Sequence, residues 1–367
     1  VGDYSRRLAR KLQDLGHSVQ LIALNDQVEK DCHELQDSVP AMRLPSTMEW
    51  DERIAVARKQ LQDFQPDWIA LQYVCYGFHP KGLAWYWNEA FRQICSGFSN
   101  RHLMMHELWI GEGGYSPLRH RLMGKLQRWT IKELSRNFQP KVVTTTVPSF
   151  QRRLSRIGIT SSLLPLFGNI PIAARNNERI CRMIQEGGSK ICQNGRDTFL
   201  NGIVFGTVHP DFDVKPLIKW LVKLQKGSGK PIVLTMIGRL GAGGGKFVRQ
   251  LKASTVAASE VIDMKEWPEE IISQALQFAD FGINTGSAEF LGKSGTFAAM
   301  REHGLPVVVA EGELDASFKN SSPPVWQLSE SNPAIPLKSD QGLLKTKSGV
   351  ARTADELLNY LINAAAA

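Results

Sequence analysis

From residue 201 onward, short runs of β-branched and apolar residues alternate with stretches whose apolar positions recur at helical spacing. Segments 203–208, 232–237, 261–264, 281–284 and 306–310 are apolar at nearly every position, which predicts strands buried on both faces. Segments 214–226, 245–256, 269–279 and 295–303 are amphipathic and predict helices between them. Alternation of this kind implies right-handed crossovers and a parallel sheet with helices on both faces. The first half repeats the pattern, with strands predicted at 19–24, 68–74, 102–106, 142–147 and 163–167. The expected fold class is α/β, with two Rossmann-like, doubly wound parallel-sheet domains.

The chain opens with a helical stripe of Leu8, Leu12 and Leu15 and no strand before it. The first strand of a doubly wound domain is central, so the first domain is expected to lack that strand and to leave a vacant place beside 19–24. Turn residues in Phe167-Gly-Asn-Ile-Pro-Ile172 and a polar stretch at 183–198 divide the chain. The expected boundaries are 1–170 for the first domain, 171–200 for a crossing, 201–345 for the second domain and 346–367 for a C-terminal helix. Thr353-x-x-Glu356 predicts the capping box of that helix, ahead of Leu357, Leu358, Leu361 and Ile362.

Composition narrows the classes. With 43% hydrophobic and 22% charged residues, the chain is of ordinary globular type, and its 31 glycines follow no collagen period. No apolar run approaches a membrane span and no leader pattern is visible, so a cytoplasmic protein is expected. Cys32, Cys75, Cys95, Cys181 and Cys192 are widely spaced and read as reduced, mostly buried thiols. Residues 1–170 carry 22 Lys and Arg against 16 Asp and Glu, which is +6 of the chain's net +8.

Several segments invite chemistry. Gly238-Arg-Leu-Gly-Ala-Gly-Gly-Gly-Lys246 fails as a phosphate loop, because Leu240 stands where a glycine is needed and Phe247 where a magnesium ligand is needed. It reads as a flexible turn at a strand end carrying Arg239 and Lys246. Segment 282–296 runs from a strand through a Gly/Ser/Thr loop to a helix start at Ser294, Gly295 and Thr296, with Lys293 beside it. Unpaired amides and the positive dipole end there can hold a diphosphate; a plain N-cap on a buried helix is the alternative. His106 and Glu107 fall at the end of an apolar strand, where ligands of open parallel sheets bind, although a structural histidine also fits. Asp211 and Asp213 are loop carboxylates without a metal-site pattern, and no metal is expected.

The segment from Arg119 to Arg136 has a distinct pattern. At about 100° per residue, Arg121, Lys125, Arg128, Lys132 and Arg136 share an arc of about 80°. Leu122, Met123, Leu126, Thr130 and Leu134 occupy the adjoining arc and are expected to pack on the domain, with Trp129 at the junction. A basic stripe beside an apolar face suits an anionic membrane surface, or else a solvated face of a domain helix. Without interleaved aromatics or a binding motif, it does not suggest nucleic acid.

Taken in order, these segments resemble the two-domain glycosyltransferases of the GT-B fold, especially the retaining family 4 enzymes. Gly2-Asp-Tyr-Ser-Arg-Arg-Leu-Ala-Arg-Lys-Leu-x-x-Leu-Gly-His17 is similar to the helix after that family's glycine loop. Pro66-Asp67-Trp-Ile-Ala-Leu71 resembles its strand that opens with Pro-Asp and runs on apolar, His106-Glu-Leu-Trp109 its first-domain histidine site, and Leu164-Pro-Leu-Phe-Gly-Asn-Ile-Pro171 its interdomain crossing. Glu266-Trp-Pro-Glu-Glu270 and 290–306 correspond to nucleotide-holding segments. The resemblance implies a hexosyltransferase with a UDP- or GDP-linked sugar donor on the second domain, a glycan or lipid-linked acceptor on the first, and no cofactor or metal. It implies that Gly2 approaches the donor phosphate and that His106 hydrogen-bonds the sugar. It further implies that Glu289 faces the sugar, that Gly295 and Thr296 amides hold phosphate oxygens, and that Glu107 lies on the acceptor side.

Two departures matter. Where family members carry Arg and Lys after the second domain's first strand, Gly206-Thr-Val-His-Pro-Asp offers only His209 and, later, Lys215, which leaves Arg239, Lys246 or Lys293 to take over. Family members carry a second glutamate for the ribose; counted from Glu289 it falls on Phe297, and aligned on Ala-Met it falls on Ala298. Two further readings therefore stand beside the enzyme: a non-catalytic relative that docks other proteins at the membrane, and a nucleotide-sugar epimerase.

Overall fold

The computed structural model describes residues 1–27, 33–36, 39–112, 116–254, 260–312, 314–319, 321–329 and 349–366. The chain divides into two units, Val1–Pro165 with Val350–Ala367, and Leu166–Gly349.

The first unit opens with helix α1 (Gly2–Asp14), which buries Tyr4, Leu8 and Ala9. Leu15, expected on its buried stripe, lies beyond the last turn and is exposed. Strands β1 (Leu21–Asp26), β2 (His33–Gln36) and β3 (Val39–Pro45) form a small sheet in which β3 is central, parallel to β1 and antiparallel to β2. Among the described residues, β1 pairs on one side only, with β3. Helix α2 (Trp50–Phe64) follows. Its Arg53 is buried and donates to the carbonyls of Leu24, Ser46 and Met48, locking the end of β1 to the turn after β3.

A second sheet holds β4 (Ile69–Tyr73), β5 (Arg101–Met105), β6 (Val142–Thr145) and β7 (Ser162–Leu163), in that order and all parallel. The short helices α3 (Cys75–Phe78) and α4 (Trp85–Ile94) join β4 to β5. Helices α5 (Leu118–Phe138) and α6 (Pro148–Ser155) cover the remaining crossovers. Parallel strands are shielded on both faces, which explains why His102 through Met105 are all buried. His102 is accommodated by a 2.8 Å hydrogen bond between its Nε2 and Thr144 Oγ1 on the neighbouring strand.

The second unit begins with α7 (Asn177–Glu186), capped by the Asn176 side chain. The rest alternates: β8 (Leu200–Phe205), α8 (Val214–Ser228), β9 (Ile232–Ile237), α9 (Gly241–Ala253), β10 (Glu260–Lys265), α10 (Glu269–Phe278), β11 (Phe281–Asn284), α11 (Gly295–Glu302), β12 (Val307–Val309), α12 (Ala316–Lys319) and β13 (Val325–Gln327). All six strands are parallel, in the order β10-β9-β8-β11-β12-β13. Counted from β8 this is the 3-2-1-4-5-6 order of the Rossmann fold, so the strand order reverses between β8 and β11. Every residue of β8, β9, β11 and β12 is buried, which is why these runs were legible in the sequence.

Three expectations are corrected. The stretch 163–167 yields only the two-residue strand β7 (Ser162–Leu163): Leu164 N still donates to Thr145 O at 2.8 Å, and Pro165, with no amide hydrogen, cannot extend the pairing. The glycine cluster is a helix rather than a flexible turn: Gly241 through Lys246 form the first half of α9, where Gly243 and Gly244 are buried in close contact with their neighbours. The last helix, α13 (Gly349–Ala366), starts a turn before Thr353. Thr353 therefore sits inside it, and its hydroxyl donates to Pro165 O at 2.9 Å instead of capping.

Candidate functional site

Open parallel sheets bind ligands beyond the carboxyl ends of the strands, at the point where strand order reverses. In the second unit that place is bounded by Gly206 and Thr207 after β8 and by Thr285 and Gly286 after β11. His209 N donates to Thr285 Oγ1 at 3.0 Å, and Thr285 Oγ1 donates to Thr207 O at 3.4 Å, so the two strand ends are tied together. Gly206 has φ +80°, and a β-carbon there would stand 2.8 Å from Thr296 Cγ2. The first turn of α11 thus closes directly over the end of β8. Gly168, in the segment leading into this unit, is pressed against Ala299 of the same helix and donates its amide to Glu302 Oε1 at 2.8 Å.

Among the residues expected here, Ser294, Gly295 and Thr296 come to this point. Ser294 is the N-cap: its Oγ accepts from Phe297 N at 3.2 Å and lies 3.1 Å from Thr296 Oγ1. Its oxygen is therefore engaged with its own helix, while the amides of Gly295 and Thr296 stand at the helix start, where α-helices leave donors without intrahelical partners. Among the described residues, and leaving aside its chain neighbours and its own helix backbone, nothing lies within 4 Å of a β-carbon added at Gly295. Glu289 and Lys293 lie on the 3-10 turn Ala288–Lys293 just before α11, both exposed; the Lys293 ammonium is 5.2 Å from the Phe290 ring. The Arg239 carbonyl accepts from Thr207 Oγ1 at 3.4 Å, and its guanidinium is paired with Glu266 at 2.8 Å on an exposed surface. Lys246 is exposed in the first half of α9. Asp213 caps α8 by accepting from Lys215 N.

The first unit has its own convergence. His106 follows β5, its amide donating to Tyr73 O on β4. Its ring meets Tyr4 of α1 edge-on at 4.9 Å, which brings the start of α1 and Gly2 to the same strand ends. Nε2 of His106 is 2.8 Å from Gln72 Oε1. An amide oxygen only accepts, so Nε2 carries the proton and Nδ1 keeps its lone pair. Burial lowers the His106 pKa to about 4, so the ring is neutral at pH 7. Glu107 is half-buried beside it. Gln72, Tyr4, Gly206, Thr207 and Thr285 were not singled out from sequence. For Gly206, Thr207 and Thr285 the available signal was their position at strand ends around the reversal of strand order; Tyr4 on α1 and Gln72 within β4 carry no such signal.

Helix α5 corrects the expected orientation of the basic stripe. Its buried residues are Gly124, Gln127, Thr130, Ile131, Leu134 and Phe138; Thr130 and Leu134 are inside as expected, whereas Leu122 and Leu126, also expected to pack inward, are 61% and 43% exposed. Leu118 and Trp129 are also exposed, at 80% and 52%. The rotation follows from two contacts. Gly124 lies against the Ile110 carbonyl, where any side chain would collide. Gln127 is buried because it donates to Tyr76 Oη and Lys81 O and accepts from Ile110 N. Arg121 and Lys125 are exposed and Lys132 is half-buried; Arg128 pairs with Glu112 at 3.1 Å and Arg136 with Glu133 at 2.7 Å. Cations and apolar side chains therefore share one outer face. Among the described residues, no helix is long and apolar enough to cross a membrane.

No protein-family model and no curated protein matches the chain. Solved structures match its fold. Sucrose-phosphate synthase from Thermosynechococcus elongatus is 12% identical, covering 98% of this chain and 88% of that one, with a TM-score of 0.53. The α,α-trehalose 6-phosphate synthase from Burkholderia multivorans is 8% identical over 99% of this chain and 96% of its own, with a TM-score of 0.55. The catalytic domain of starch synthase IV from Arabidopsis thaliana, bound to ADP and acarbose, is 12% identical over 100% and 96%, with a TM-score of 0.59. At such identities the likeness is one of fold alone: α/β with two Rossmann-like domains, the GT-B fold.

Proposed function

We propose that this chain is a retaining, family 4-like hexosyltransferase that moves a sugar from a UDP- or GDP-linked donor to a glycan or lipid-linked acceptor at a membrane surface. The observation that carries this reading is the meeting of Gly206 and Thr296 at the reversal of strand order, which leaves the first amides of α11 beside the end of β8. There the amides of Gly295 and Thr296 hold the donor diphosphate, with Lys293, Arg239 and Lys246 supplying mobile positive charge, so preorganised dipoles and cations do the work of charge stabilisation without a metal. Glu289 faces the sugar. In the first unit the neutral His106 offers its Nδ1 lone pair to a sugar hydroxyl, with Gln72 fixing the tautomer, and Glu107 serves the acceptor side. The stripe of α5 supports a cytoplasmic protein held peripherally on the inner, anionic membrane face. Calorimetric titration with UDP-, GDP- and ADP-sugars tests the donor reading, which predicts saturable binding of at least one.

A second reading is favoured by one observation. Where the family's ribose-binding glutamate would stand, Phe297 is buried and packs edge-on against Phe318 at 5.2 Å, and Ala298 offers no carboxylate either. A GT-B relative that docks other proteins without catalysis fits that loss. Absence of binding to all three nucleotide sugars would select it.

A further inference from the structure

We propose that Cys181 and Cys192 are a dithiol–disulfide pair, a site of reversible oxidation by a hydroperoxide in the second unit. Cys181 lies on α7, and Cys192 lies in the 3-10 turn Ile191–Asn194 that follows. Their sulfur atoms are 3.1 Å apart, and the Cys181 thiol is also 3.5 Å from the Cys192 carbonyl. A disulfide needs about 2.05 Å between sulfurs, so closure takes a shift of about 1 Å. This inference rests on no part of the donor reading.

The spacing is held from outside the pair. Glu260, the first residue of β10, accepts from the amides of Lys190 at 2.9 Å and Ile191 at 3.3 Å, and from the Ser189 hydroxyl. Ser189 Oγ in turn accepts from Cys192 N at 3.3 Å. One carboxylate thus fixes the turn that presents Cys192 to α7. Access is unequal, because Cys192 is 2% exposed whereas Cys181 is partly exposed. Burial, and then the neighbouring Cys181, push the Cys192 thiol up to about 12, so it keeps its proton at neutral pH. The oxidant therefore meets Cys181 first. Its O–O bond breaks as one oxygen passes to Cys181 Sγ, giving a sulfenic acid and releasing water from hydrogen peroxide. The Cys192 proton passes to the sulfenic oxygen as Cys192 Sγ attacks Cys181 Sγ; the S–S bond forms, the S–O bond breaks, and the oxygen leaves as water. Two thiols are oxidised by two electrons and one peroxide is reduced. Cys75 and Cys95 are buried in the first unit, where burial pushes both thiols up to about 11.

The test is graded hydrogen peroxide on the purified full chain, followed by alkylation and unreduced tryptic mapping. The expected product joins peptide 180–182 to peptide 191–196, disappears with dithiothreitol, and accompanies the loss of two thiols per chain. In Cys192→Ser, a dimedone adduct should accumulate on Cys181 instead. Recovery of alkylated Cys192 beside over-oxidised or untouched Cys181, or linkage of either to a different cysteine, would overturn the proposal. The wild-type map decides the matter even if the variant fails to fold.

Discussion

Gly206 at the end of β8 and Thr296 in the first turn of α11 approach so closely that a β-carbon on Gly206 would lie 2.8 Å from Thr296 Cγ2. Its backbone is also left-handed, at φ +80°. Gly206→Ala should therefore lose about 2–5 kcal/mol of stability, combining overpacking with the left-handed penalty. Urea unfolding measures this, and calorimetry should show weaker nucleotide-sugar binding because Thr296 is displaced. An alanine variant with unchanged stability and unchanged affinity would separate this contact from the donor site.

Lys293 is the exposed cation nearest in sequence to the start of α11. Lys293→Ala should weaken nucleotide-diphosphate binding by about 1.5–3 kcal/mol, the range of charged hydrogen bonds. Unchanged affinity would transfer the role to Arg239 and Lys246, which Arg239→Ala and Lys246→Ala then test singly.

Two histidines make stability depend on pH. Burial lowers His102 to about 3 and His106 to about 4 in the folded chain, whereas an unfolded histidine titrates near 6.5. Between these values the unfolded chain binds the extra protons, so stability falls as pH drops below about 6.5 and goes on falling until each folded pKa is passed. From pH 7 to pH 5 the two should each remove about 2 kcal/mol. Urea midpoints at the two pH values measure the loss, and His106→Gln should remove about half of the slope.

The outer face of α5 should bind anionic vesicles through two separable contributions. Each cation near such a surface contributes about 1 kcal/mol, and pairing of Arg128 and Arg136 with glutamates reduces their share. Neutralising Arg121, Lys125, Arg128, Lys132 and Arg136 together should abolish co-sedimentation with anionic vesicles while sparing donor affinity. Replacing Leu118, Leu122 and Leu126 by Ser should weaken the part of binding that survives high salt. Failure of the wild-type chain to bind such vesicles at low salt would leave α5 as a solvated face.

Much of the second unit was legible because its signals are local. Strands β9 and β11 coincide with the predicted runs, since a strand buried on both faces must be apolar at every position. The histidine at the end of β5 and the polar loop leading into α11 were equally visible, because strand ends and N-caps have short sequence signatures. The antiparallel pairing of β2 with β3 left no comparable signal and was missed.

What the sequence by itself determined is therefore the α/β class, the alternation of elements and the placement of His106, Ser294, Gly295 and Thr296 at element ends, all set by periodicity and turn chemistry within a few residues. Tertiary structure decided how far the buried face of α5 is turned: Thr130 and Leu134 are inside as the periodicity implies, Leu122 and Leu126 are not. Hydrophobicity favours Leu122 and Leu126, but the Ile110 carbonyl admits only Gly124, and three hydrogen bonds make Gln127 a better interior residue. It also decided that Gly206 meets Thr296, that Gln72 sets the His106 tautomer and that Glu260 holds Cys192 beside Cys181. Steric exclusion and hydrogen-bond satisfaction act between residues far apart in the chain, and a periodic pattern carries no record of them.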